Sequence, residues 1–141
     1  MPIEKFSHIA IAVQDLEAQI AHYRDVLGLR LLSREVIEDQ QVKVAMFEVG
    51  ESRLELLEPL TPESPVGRFL QKKGEGIHHV AFAVSDLRAD LDRAKKKGLR
   101  LIDEHPRPGA HGAQIAFLHP KSTYSVLTEF CDEGDSKDAK D

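Results

Sequence analysis

Two histidines and two glutamates are the residues best suited to do chemistry, because their spacing repeats. His8 lies in Ser7-His8-Ile9-Ala10-Ile11-Ala12-Val13 and His79 in Ile77-His78-His79-Val80-Ala81-Phe82-Ala83-Val84. Laying His8 on His79 brings Asp15 onto Asp86 and Leu16 onto Leu87. With one residue of slippage, Gly28-Leu29-Arg30-Leu31-Leu32 falls on Gly98-Leu99-Arg100-Leu101-Ile102. Each half ends in a glutamate inside a largely apolar run, Glu55 in Arg53-Leu54-Glu55-Leu56-Leu57 and Glu129 in Val126-Leu127-Thr128-Glu129-Phe130. A carboxylate in such a run is costly to bury unless it is paired or bound to a metal. Two imidazoles and two carboxylates form a mixed nitrogen and oxygen donor set that suits Co²⁺, Mn²⁺, Ni²⁺, Zn²⁺ or Fe²⁺, and the carboxylates neutralise the divalent charge. A lone histidine in an apolar strand is an ordinary core residue, and a lone strand glutamate often faces solvent. The coincidence of four, in register with a repeat, is what points to metal. Alternation along a strand sends His78 and His79 to opposite faces, and register with His8 selects His79.

The elements that must position these residues follow from pattern. Two copies of about seventy residues are too long and too few for a solenoid, and read as a duplicated supersecondary unit. Halves of that size, in a chain of 141 residues, share one core more readily than they sustain two. In the first half, residues 6–13 read as a buried strand. Asp15 caps a helix carrying Leu16, Ile20, Tyr23 and Leu27, with Gly28 at its end. Strands over 29–36, Val42–Val49 and Arg53–Leu57 follow. Pro59, Pro62 and Pro65 mark a bridge, in which Ser64-Pro65 opens a short helix running to about Lys73 before Gly74. The second half repeats the order, with a strand at 78–84, a helix Leu87–Lys97 capped by Asp86, and a strand from Leu99. A loop, Pro106-Arg107-Pro108-Gly109-Ala110-His111-Gly112, precedes a hairpin of Gln114–Leu118 with Ser125–Cys131. The expected organisation is module one 1–60, bridge 61–75, module two 76–131 and a polar tail 132–141 without order. Duplicated strand–helix–three-strand units imply two curved sheets around a shared concave surface.

Composition narrows the function. A formal charge of −5 argues against nucleic acid or an anionic membrane as partner, since both need a basic face. Cys131 is the only cysteine, so no internal disulfide forms and a reducing compartment is compatible. The start of the sequence lacks an apolar signal-like segment and no run has the length of a membrane span, so a cytoplasmic protein is expected. His22, on a helix, and His105 and His119, beside turns, are weaker candidates. His111, in its glycine-flanked loop, fits loop packing or substrate contact. Lys95-Lys96-Lys97 reads as a solvated helix end that complements the dipole.

The chain resembles the vicinal oxygen chelate superfamily, whose members pair βαβββ modules around a divalent metal. Within it the methylmalonyl-CoA epimerases are the nearest likeness. That likeness is carried by Leu54-Glu55-Leu56-Leu57-Glu58-Pro59-Leu60, Ser64-Pro65-Val66-Gly67-Arg68-Phe69-Leu70, Gly74-Glu75-Gly76-Ile77-His78-His79, Gly109-Ala110-His111-Gly112 and Phe117-Leu118-His119-Pro120-Lys121-Ser122. It implies an α+β fold of two tandem βαβββ modules forming an incomplete eight-stranded barrel around a metal site. The implied metal ligands are His8, Glu55, His79 and Glu129, with Co²⁺ expected first and Mn²⁺, Ni²⁺ or Zn²⁺ as alternatives. The implied reaction interconverts (2R)- and (2S)-methylmalonyl-CoA, an acyl-CoA thioester, through a metal-chelated enediolate, with Glu129 as a catalytic acid/base. A homodimer is the expected assembly.

Two positions depart from the family pattern. Val44 stands where some members carry a glutamate proposed as an acid/base group, which leaves Glu48, Gln41, Lys43, His111 or water for the second proton. Tyr124-Ser125 replaces a frequent glycine pair. The competing readings are a glyoxalase I-type lactoylglutathione lyase, an extradiol dioxygenase, which needs one carboxylate fewer, and a binding module of the same fold without metal.

Overall fold

Eight strands and three helices, in mixed α+β order, carry the chain through the computed structural model, which describes residues 3–134. The strands are β1 (Ile3–Ala12), β2 (Arg30–Ile37), β3 (Val42–Val49), β4 (Ser52–Pro59), β5 (Gly76–Val84), β6 (Arg107–Pro108), β7 (Gln114–Leu118) and β8 (Thr128–Asp132). The helices are α1 (Leu16–Ala21), α2 (Pro65–Lys73) and α3 (Leu87–Lys96). The chain divides into two compact units, one running His8–His78 and the other taking the residues up to Ser7 and from His79 onward. The break falls inside β1, so both units use part of that strand.

In the His8–His78 unit the hydrogen-bonded order is β2-β3-β4-β1. Strand β1 runs parallel to β4, and the other neighbours are antiparallel. One sheet face is covered by α1, where Val13, Leu16, Ile20, Ala45, Phe47 and Leu56 form a buried cluster. Asp15 starts that helix by accepting the Ala18 N–H at 3.1 Å, and Glu58 accepts the Leu16 N–H at 2.8 Å. The expected α-helix to Leu27 instead widens after Ala21 into a π-helical turn, His22–Val26, which closes when His22 C=O accepts the Leu27 N–H. The wider turn accompanies the seating of Tyr23 against Phe47. Gly28 then takes a positive φ of 83°.

Helix α2 forms as its sequence implies. Ser64 Oγ accepts the Gly67 N–H at 3.2 Å, and Pro65 occupies the first helical position, where no N–H is needed. Gly67 is required for a different reason: a Cβ there would collide with the carbonyl oxygens of Thr61 and Pro62.

In the other unit the order is β1-β5-β8-β7-β6. Helix α3 covers one face through Val84, Leu87, Leu91, Ala94, Ala116 and Leu118. Ala81, Ala113, Ile115, Phe117 and Cys131 cluster separately. The strand expected from Leu99 shrinks to a single bridge, Leu101 to Leu118. There Asp103 Oδ2 accepts the Phe117 N–H at 2.9 Å, while the Ile102 and Asp103 N–H groups both donate to the Phe117 carbonyl. Pro106 and Pro108 then lack ladder donors, and pairing resumes only as the two-residue β6, inside the segment expected to be a loop. The last strand starts at Thr128 rather than Ser125 because Tyr124 and Ser125 both adopt left-handed backbone. At its far end β8 includes Asp132, where the expected tail begins. Glu133 beyond it is buried, accepts a hydrogen bond from Ser7 Oγ at 2.7 Å and lies 3.9 Å from Lys5 Nζ. The remaining tail, 135–141, lies outside the described residues.

Candidate active site

The four donors singled out by the repeat occupy matching positions in two parallel strand pairs. Along β1 and β4 Ala10 stands opposite Glu55; along β5 and β8 Ala81 stands opposite Glu129. His8 and His79 each precede that alanine by two residues, so each shares the face of its glutamate. In the first unit His8 Nδ1 lies 3.4 Å from Glu55 Oε2, and in the second His79 Nε2 lies 3.1 Å from Glu129 Oε1. All four are buried, at 4% (His8), 6% (Glu55), 4% (His79) and 2% (Glu129) relative exposure.

The faces are fixed by packing. In the first unit Leu56 and Ala45 belong to the α1 cluster, which leaves Glu55, Val44 and Met46 on the other side of the sheet. In the second, Ala116 and Leu118 lie under α3, while Glu129 and its cross-strand neighbour Phe117 lie on the opposite face. Phe117 also meets the His79 ring edge-to-face at 5.1 Å. Each unit therefore uses its helix to build a core on one face and holds its histidine–glutamate pair on the other. The small alanine opposite each glutamate leaves room beside the carboxylate. His78 turns the other way and packs on Phe69 of α2 with ring centroids 4.9 Å apart, so His79 is the member of that pair beside a glutamate.

The donor set fits a divalent ion. His8, His79 and Glu129 each offer a ligand atom, all within 4.8 Å of one another, and Glu55 stands 3.4 Å from His8 outside that group. Two imidazoles would give borderline-soft nitrogen donors and two carboxylates the compensating charge. Carboxylates this buried are expensive without such compensation.

The remaining candidates separate clearly. Lys43 pairs with Glu58 at 3.4 Å and follows the register of the α1 side. The Gln41 side-chain amide donates to the Glu38 carbonyl at 2.9 Å within a tight turn. Glu48 is exposed and 3.5 Å from Arg30. His111 is exposed with φ 59°. His119 accepts the Lys121 N–H on Nδ1 at 3.1 Å, and burial, followed by the charges of Arg100 and Lys121, holds its pKa below the usual histidine value. Lys95 and Lys96 pair with Glu104 and Asp92, so the lysine run is a solvated helix end. A cavity of about 390 Å³ lies beside α2, lined by Gln14, Leu60, Thr61, Gly67, Leu70 and Gln71 among others, and includes none of the four donors.

Glu35 was absent from the sequence-based candidates. It stands on β2 directly opposite Val44, and thus on the Glu55 side of its sheet. The period of two alone misplaces it, because a bulge between Leu31 and Ser33 shifts the register. No helix among the described residues is long and apolar enough to cross a membrane.

Residues 7–117 match the family described as the Glyoxalase/Bleomycin resistance protein/Dioxygenase superfamily, and the chain belongs to it. The Bacillus subtilis protein YqjC is 45% identical over 92% of this chain and 93% of its own length. The ethylmalonyl-CoA/methylmalonyl-CoA epimerase of Cereibacter sphaeroides is 40% identical, covering 90% of this chain and 96% of the relative. Among solved structures, methylmalonyl-CoA epimerase in complex with methylmalonyl-CoA and NH4+ superposes with a TM-score of 0.91 at 40% identity, covering 94% of this chain and 96% of that one.

Proposed function

We propose that this protein is a metal-dependent methylmalonyl-CoA epimerase that moves a proton at C2 of the acyl group. The observation that carries the reading is the duplicated register, in which each unit sets a buried histidine beside a buried glutamate. The similarity to epimerases over nearly the whole chain supports the choice of substrate.

In this reading His8, Glu55, His79 and Glu129 would hold one divalent ion, Co²⁺ first, with Mn²⁺, Ni²⁺ or Zn²⁺ as alternatives. Bound there, the ion supplies Lewis-acid stabilisation of negative charge developing on the substrate's oxygens. The hydrogen at C2, between a thioester and a carboxylate, is weakly acidic, so its removal needs a positioned base. Glu129 fills that role. Its carboxylate is held beside His79 and Phe117 at 2% exposure. The working unit in this reading is one domain over residues 1–131 that contains both modules. The net negative charge and single buried cysteine suit a cytoplasmic enzyme, and a homodimer is the assembly proposed.

The test is solvent exchange at C2. Methylmalonyl-CoA would be incubated in D₂O with metal-loaded protein while deuterium uptake and epimer ratio are followed. Exchange with epimerisation is the expected result, and epimerisation should be abolished in Glu129→Gln. Bound metal without C2 exchange would reject the epimerase reading.

A further inference from the structure

Epimerisation needs proton carriers on both faces of C2, and Glu129 accounts for one. Val44, where some family members place a second carboxylate, is an apolar side chain with 2% exposure. Its environment nevertheless contains a carboxylate. Up to Leu31 the β2 ladder keeps the register of the α1 side, with Leu31 opposite Phe47. After the bulge Ser33, Glu35 and Ile37 stand opposite Met46, Val44 and Val42. Directly opposed residues share a sheet face. Met46 is in turn opposite Glu55, and Val44 opposite Leu57, so Glu35 lies on the face that carries Glu55 and His8.

An independent contact fixes the same orientation. Arg34, adjacent to Glu35, reaches the opposite face and pairs with Glu17 of α1 at 3.0 Å. Glu35 must therefore point away from α1. Two strand spacings and two residue rises separate it from Glu55, or about 12 Å between Cα atoms. The two carboxylate positions border the same stretch of that face, on either side of Val44 and Met46. Glu35 is half-buried, so it can lose a proton to solvent between turnovers.

We propose that Glu35 is the second proton carrier of the epimerase, a carboxylate placed on β2 to serve the position that Val44 leaves apolar. This rests on the epimerase reading above. For one epimer the Glu35 carboxylate removes the C2 proton, the C–H electron pair moves into the thioester carbonyl, and the Glu129 carboxyl returns a proton to the other face. For the other epimer the roles reverse, and each carboxyl resets by exchange with solvent.

The test uses the separate (2R) and (2S) thioesters in D₂O with metal-loaded full-length protein. Glu35→Gln is expected to lower epimerisation about 10²- to 10⁴-fold, yet to retain C2 exchange from one epimer only. Glu129→Gln should show the complementary pattern, exchanging only the other epimer. Glu35→Asp, with a shorter carboxylate, should recover part of kcat at unchanged KM. The assignment to Glu35 is overturned if Glu35→Gln epimerises within about threefold of the unaltered protein. It is equally overturned if that variant loses exchange from both epimers alike while melting normally, which would make Glu35 a positioning residue. Unaltered protein that exchanges neither epimer would instead overturn the epimerase reading itself.

Discussion

Metal binding to the four-donor set should appear as thermal stabilisation that shrinks when either carboxylate is removed. A ligand that binds only the folded chain at about 100 times its Kd adds roughly 2.7 kcal/mol. Unfolding entropy of about 2.1 cal/mol/K per residue gives this chain a value near 0.3 kcal/mol/K, so the melting temperature should rise by about 9 °C. In Glu129→Gln or Glu55→Gln the set loses one anionic donor and leaves a net positive charge where all four residues are at most 6% exposed. Each tenfold loss of affinity removes about 1.4 kcal/mol, equivalent to about 4–5 °C. The assay is differential scanning fluorimetry with Co²⁺ titrated against chelator-treated protein. Glu48→Gln serves as a control because Glu48 is exposed beside Arg30. If Co²⁺ leaves the unaltered melting temperature unmoved, or if Glu129→Gln keeps the full shift, the four residues do not act as one metal site.

Three further outcomes follow from local geometry. Gly67→Ala forces a Cβ onto the carbonyls of Thr61 and Pro62 and should cost about 1–3 kcal/mol in urea unfolding; an unchanged midpoint would mean that bridge can yield. Ser125→Gly relieves a left-handed residue with φ 75° and should stabilise by about 1 kcal/mol, read by the same titration; a loss of stability would contradict the strain argument. His119 has its pKa lowered from 6.5 by burial and by the neighbouring Arg100 and Lys121 charges. Above 6.5 the imidazole is neutral folded and unfolded; below it the unfolded chain takes the proton first, so stability falls as pH drops toward the folded value. His119→Asn, whose amide oxygen can still accept the Lys121 N–H, should flatten the pH dependence of unfolding free energy across that window, and an unaltered slope would remove His119 as its source.

Features under the control of local chemistry and repetition were legible from residue types and spacing. Asp15, Ser64 and Asp86 accept helix N–H groups as their types and positions imply, because a cap is settled within a few residues. The duplicated histidine and glutamate were legible because an internal repeat compares the chain with itself, and the register then shows each pair on a common face. Where a long-range partner intervened, sequence pattern fell short. Asp103 turns its carboxylate onto the N–H of Phe117, a partner beyond the reach of any local pattern. The π turn at His22–Val26 accompanies the packing of Tyr23 on Phe47, two residues far apart in sequence. Glu133 is ordered by Ser7 from the other end of the chain. Only tertiary structure could place Glu35, because a single-residue bulge reverses every later side chain on β2, and a bulge is visible only against the strand with which it pairs.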